Sequence, residues 1–140
     1  MSKKTDNNPL LRQAEPHRFR QIRADEFDGV QGERMSELSI PARLALFALR
    51  TCSDKNGVFP WHPKTLKLRV YPHDNLDFEA LLNELLEHGD FFKFTYDGQE
   101  YGCHATWKLY QRLNTQEAGK PSVYPEPPQL NTVQDVPKTS

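Results

Sequence analysis

Two short runs of cations have the residue types and spacing that suit one kind of chemistry, the binding of phosphate. Arg18, Arg20 and Arg23 make the first run, with Arg18 and Arg20 at the alternating spacing of a strand. Lys64, Thr65, Lys67 and Arg69 make the second, in a stretch with no acid. Lys64 and Lys67 stand three apart and share a face if the stretch is helical, with Arg69 at the edge of that row. Cations that displace condensed counterions supply most of the affinity for DNA. Roughly three to six such contacts give weak, salt-sensitive binding with little reading of bases.

Between Pro72 and Glu100 the balance reverses, with eight acids against Lys93. Glu79, Asn83, Glu84 and Glu87 fall where a helix would expose them, and Phe91 follows as a candidate aromatic anchor. These residues suit docking on a basic protein surface. They also argue against major-groove reading by that helix, because carboxylates repel phosphates.

Other chemistries have weaker footing. His17, His62, His73, His88 and His104 are scattered, and Cys103-His104 is the one close Cys/His pair. Adjacent strand residues point to opposite faces, so this pair does not share an ion. No nucleophile elbow, glycine-rich loop or paired-carboxylate motif is present. We expect no catalytic residue, no metal site, no cofactor and no enzyme activity. Cys52 and Cys103 sit in apolar patterns and read as reduced core thiols of a cytoplasmic protein, with no membrane partner.

The elements that would position these residues follow from periodicity. Phe78, Leu81, Leu82, Leu85 and Leu86 form one stripe of a helix that Asp77 can cap and Gly89 can end. Alternation then takes over: Phe92, Phe94 and Tyr96 share a strand face, and Asp97-Gly98 supplies a two-residue hairpin turn toward Tyr101, Cys103 and Ala105. Upstream, Ser39 and Pro41 open a central helix whose Ile40, Leu44, Phe47 and Ala48 are expected inward, widened by Leu46 and Leu49. Val58-Phe59-Pro60 reads as a short strand that can pair beside the hairpin. Pro63 to Tyr71 reads as a short helix with Leu66 and Val70 inward. His17 to Ile22 is expected as an edge strand, and 24–37 as a loop or helical turn. Thr106 to Leu113, with Trp107, Leu109, Tyr110 and Leu113, can pack back on the core. The expected core joins Leu44, Phe47, Leu66, Leu81, Leu85, Phe92 and Tyr101.

An apolar fraction of 36% implies that only part of the 140 residues folds. Residues 1–16 read as a disordered arm, 17–113 as the folded domain and 114–140 as a proline-rich disordered tail. The expected fold class is α+β, a winged helix-turn-helix in the order helix, strand, helix, turn, helix, hairpin.

The chain resembles the N-terminal winged-helix domain of phage-encoded DNA replication proteins of the initiator or replisome-organiser type. The matching pieces, in the family's order, are Arg18 to Ile22, Leu38 to Leu44, Asp54 to Gly57, Pro63 to Lys67, Tyr71 to Asp74, the leucine helix ending in Gly89, Tyr96-Asp97-Gly98 with Tyr101, and Trp107 to Arg112. The resemblance implies DNA binding in phage replication, or a stand-alone relative acting as accessory or regulator. The reading from charge puts phosphate contact on the basic helix and the N-terminal arm. The alternative is an acidic module that docks on a host or phage replication or defence protein, as antagonist, adaptor or DNA mimic.

Overall fold

The computed structural model describes residues 19–128 and is mixed α+β. A 3-10 turn, Ala24–Phe27, leads into α1 (Gly29–Ser36), α2 (Ile40–Thr51), β1 (Val58–Pro60), α3 (Pro63–Val70), α4 (Phe78–His88), β2 (Phe91–Tyr96), β3 (Gln99–His104), α5 (Trp107–Tyr110) and α6 (Thr115–Ala118). The three strands form one antiparallel sheet in the order β1-β3-β2.

Local chemistry sets the element ends. The Ser39 hydroxyl accepts from the Ala42 N–H at the start of α2, and the Asp77 carboxylate accepts from the Ala80 N–H at the start of α4. Gly89 closes α4 at φ 93°, a left-handed conformation that glycine adopts without a Cβ clash. Asp97 and Gly98, at φ 54° and 78°, make the tight turn between β2 and β3. The hairpin pairs Phe94 with Tyr101 and Phe92 with Cys103, and β1 adds Val58 opposite Cys103 on the far side of β3.

The core lies between the helices and one face of the sheet. Leu82 and Leu85 of α4 are fully buried beside Phe78, with Leu81 and Leu86 partly buried at the margins. They pack with Leu38, Ala42, Ala45, Leu46, Leu49, Phe59, Trp61, Leu66 and Phe91. Leu66 and Val70 of α3 point inward as their spacing requires.

Several expectations are corrected. Helix α2 turns its other side to the core: Ala42, Ala45, Leu46 and Leu49 are buried, whereas Ile40 is 73% and Leu44 52% exposed. Both sides of α2 are apolar, so hydrophobicity does not choose between them. The small Ala42 and Ala45 allow close approach to neighbours, and Arg50, on the inward side, meets a buried carboxylate. On the hairpin, Phe92, Phe94 and Tyr96 do share a face, but it is the outer one. The residue that enters the core is Phe91, packed against Phe59 and His104. Tyr101 is half-buried on the outer face, its ring stacked on Phe94. Residues 19–22 form no strand, and 24–37 hold a full helix besides the 3-10 turn.

The segment expected as a tail from residue 114 is packed on the domain through Tyr124. The buried Asp54 carboxylate accepts from Asn56 N and Val58 N through one oxygen and from Tyr124 N through the other. Asn56 Nδ2 donates to Ser122 Oγ, and Lys55 Nζ donates to the carbonyls of Ala118 and Lys120. The Tyr124 ring lies against Tyr101, 6.1 Å between centroids. Low hydrophobicity misled the sequence reading, because polar groups rather than apolar ones hold this strap. Residues 1–16 and the rest of the expected tail from 129 lie outside the described residues.

Candidate nucleic-acid interface

Helix α3 presents one exposed basic surface. Pro63 sits in its first turn, where a missing N–H costs nothing, and Leu66 anchors it to the core. With Leu66 inward, Lys64, Thr65, Leu68 and Arg69 face solvent together. Arg69 therefore belongs to the exposed face rather than to its edge. Lys67 is half-buried, and its ammonium donates to the Tyr71 carbonyl at 2.9 Å, closing the end of the helix. The free cations of this face are thus Lys64 and Arg69, with Lys67 partly committed.

The N-terminal arm behaves differently. The Arg20 side chain is 4% exposed and makes a two-pronged pair with Glu117, 2.8 Å from Nη1 to Oε1 and 2.7 Å from Nη2 to Oε2. It also donates to the carbonyls of Arg50 and Ser53 and lies 5.0 Å above the Trp107 ring. An arginine so engaged does not contact phosphate, which corrects its place in the expected DNA-binding set. Arg23 remains at the surface, paired with Asp25 at 3.3 Å. Arg18 lies outside the described residues.

The acidic helix is also divided. Glu79, Asn83 and Glu87 are exposed on α4. Glu84 instead accepts from Ser39 N at 2.7 Å and from Ser39 Oγ at 2.8 Å, joining α4 to the start of α2. A carboxylate at a helix N-terminus suits both the unpaired N–H groups and the dipole. Phe91 is 2% exposed and cannot anchor a partner. Three of the five expected docking residues therefore remain available.

One basic surface was missed by the sequence reading. Arg23, Lys108 and Arg112 line a cleft of about 230 Å³ with Gln21, Leu109, Tyr110 and Gln111. Its walls are braced by reciprocal bonds: Gln21 N donates to Gln111 Oε1, Gln111 Nε2 to Gln21 O, and Arg112 N to Gln21 Oε1. The i, i+4 spacing of Lys108 and Arg112 was a visible hint, but their meeting with Arg23 depends on long-range contacts. Tyr71, at the end of α3, bonds to the Pro41 carbonyl, whereas the arm bonds to that of Arg50. Nine residues of α2 separate those carbonyls, about 14 Å along the axis.

Several ionisable groups are buried. Arg50 pairs with Glu26 through both nitrogens and also donates to the Gln21 carbonyl. His104 is buried among Phe59, Phe91 and Trp107; burial, aided by the field of Arg50, lowers its pKa to about 3. Burial pushes the Cys103 thiol up to about 12. Cys103 and His104 lie on opposite faces of β3, as alternation requires. Among the described residues no group of three or more His, Cys, Asp or Glu is placed to hold a metal ion. None of their helices is long and apolar enough to cross a membrane.

Comparison with family models, with curated proteins and with solved structures returns no match.

Proposed function

We propose that this protein is a winged-helix DNA-binding module of phage-type replication, holding the phosphate backbone weakly through α3. The observation that carries the reading is the solvent-facing row Lys64, Thr65 and Arg69 on a helix without an acid. The element order and the pairing of β1 with β3 beside the hairpin support the fold assignment. The role in replication rests on the sequence resemblance alone. Helix α4, which precedes the hairpin, keeps Glu79 and Glu87 exposed and is excluded from the phosphate contact by charge.

The test is anisotropy of labelled duplex and single-stranded DNA at two salt concentrations. Wild-type binding is expected to fall with salt at a log–log slope of roughly −0.9 per duplex phosphate contacted. Lys64→Glu with Arg69→Glu should weaken binding beyond the loss of two contacts, since the new carboxylates repel. Glu79→Gln with Glu87→Gln should leave binding unchanged or slightly tighter. Absence of binding to both forms at low salt would remove this reading. Loss of a protein partner on neutralising Glu79 and Glu87 would install the acidic-docking reading in its place.

A further inference from the structure

Helix α5 ends at Tyr110, and Gln111 leaves it in an extended conformation, φ −114° and ψ 132°. There the chain meets the arm, and Gln21 exchanges bonds with Gln111 and with the Arg112 N–H. The Gln21 side-chain amide also donates to the Arg112 carbonyl at 3.3 Å. The consequence of this bracing is electrostatic. Arg23, Lys108 and Arg112 are brought to the walls of one cleft of about 230 Å³, and no acid is in its lining. All three are exposed, and neither Lys108 nor Arg112 has an ion-pair partner among the described residues. Like charges on separate segments relieve their repulsion by moving apart unless something holds them. Here the amide and backbone bonds hold them.

We propose that this cleft binds a phosphate monoester, the terminal phosphate of a nucleotide or of a nucleic-acid end. Charge decides the class. A monoester carries about −1.5 to −2 at neutral pH and presents three strong acceptor oxygens. Two guanidinium forks and one ammonium match that demand, the forks by paired bonds and the lysine as a point charge. A backbone diester carries a single charge and is flanked by sugars on both sides. Size points the same way. Pockets that enclose whole drug-sized ligands run to about 300–1,000 Å³, so this cleft takes the phosphate end and leaves the remainder outside. Tyr110, half-buried in the wall, offers a ring against which a sugar or base can lie.

Two carboxylates near the cleft leave it open to such an anion. Asp25 accepts from Arg23 Nε at 3.3 Å, with the two side chains 58% and 47% exposed. Water screens a pair of this kind, so it yields to a stronger anion. Glu26 is held inside the protein by Arg50. The cleft shares no residue with α3, and the proposal does not rest on the DNA contact assigned to that helix.

Calorimetric titration of the full chain with adenosine 5′-monophosphate, in phosphate-free buffer at low ionic strength, tests the proposal. Saturable binding is expected. Cyclic adenosine monophosphate, with the same base but a diester phosphate, should bind at least about fivefold more weakly. Lys108→Gln with Arg112→Gln should weaken binding of the monoester by about tenfold or more, with an unchanged circular dichroism spectrum. Asp25→Asn removes the competitor for Arg23 and should tighten binding about twofold. Lys64→Glu with Arg69→Glu should leave it unchanged, so failure here and failure of the α3 reading are separate results. Single-stranded oligonucleotides with and without a 5′-phosphate then distinguish the sources. Preference for the phosphorylated form assigns the cleft to nucleic-acid ends, and equal affinity assigns it to free nucleotides. Absence of saturable binding of the monophosphate would overturn the proposal. So would equal affinity for the cyclic diester, or binding that survives Lys108→Gln with Arg112→Gln.

Discussion

The arm that carries Arg20 and the helix that carries Lys64 dock at opposite ends of α2, and they use positive charge in opposite ways. Arg20 brings its guanidinium inside, where Glu117, three carbonyls and the Trp107 face satisfy it. The planar fork of arginine has five donors and suits such an enclosed position. Lys64 stays in water, with its ammonium available to an anion. The difference teaches that a basic run does not make a basic surface. A cation becomes structural when carboxylate and carbonyl acceptors from distant segments converge on it.

The largest effect should come from breaking the buried pair. Arg20→Ala removes the two-pronged guanidinium contact of the buried Glu117 and is expected to cost about 3–5 kcal/mol in urea unfolding. The Arg20→Ala/Glu117→Ala double variant should lose less than the two single changes added together. A loss under about half a kcal/mol for Arg20→Ala would mean that the arm is not docked, and the contrast with α3 would collapse.

Glu84 is a charge in between, exposed in type yet employed at the start of α2. Glu84→Gln should cost about 1 kcal/mol, the usual worth of a helix N-terminal cap. Glu79→Gln, on the open side of the same helix, should fall within about 0.5 kcal/mol of wild type. Equal values for the two would show that the Ser39 contact contributes nothing.

His88 sharpens the comparison through pH. Its ring nitrogens reach Asp90 at 2.6 Å and Glu37 at 2.9 Å. Burial alone would lower its pKa, but the hydrogen bonds to the two carboxylates outweigh burial and raise it above 6.5. A raised folded-state pKa means that the charged imidazole stabilises the fold fully below the unfolded pKa of about 6.5. That contribution is lost as pH rises through the folded value. The stability gap between wild type and His88→Gln should therefore be widest in acid and narrow in alkali. A gap that widens with pH would show the carboxylates are not paired with His88 in solution.

Lys64→Ala should have the smallest effect on stability, within about 0.5 kcal/mol, while weakening DNA binding if α3 is the contact. A large stability loss would place Lys64 with Arg20 as a structural cation.

Local rules made several parts of this protein legible in its amino-acid order. The Asp77 cap, the leucine stripe of α4, the left-handed Gly89 and the Asp97-Gly98 turn each depend on residues within a few positions of one another. The pairing of β1 with the hairpin was also foreseeable, since few other strands compete. Non-local meetings decided the rest. Nothing near Arg20 in sequence announces Glu117, 97 residues away, and nothing near Asp54 announces Tyr124, 70 residues away. The inner side of α2 was ambiguous because both of its sides are apolar, and hydrophobicity cannot rank two suitable faces. Phe91 and Phe92 posed the same problem on β2, where the parity of the strand was clear but its rotation toward the core was not. Periodicity specifies which residues share a face. Only packing against the remainder of the chain determines where that face points, and thus which charges stay at the surface to meet a partner.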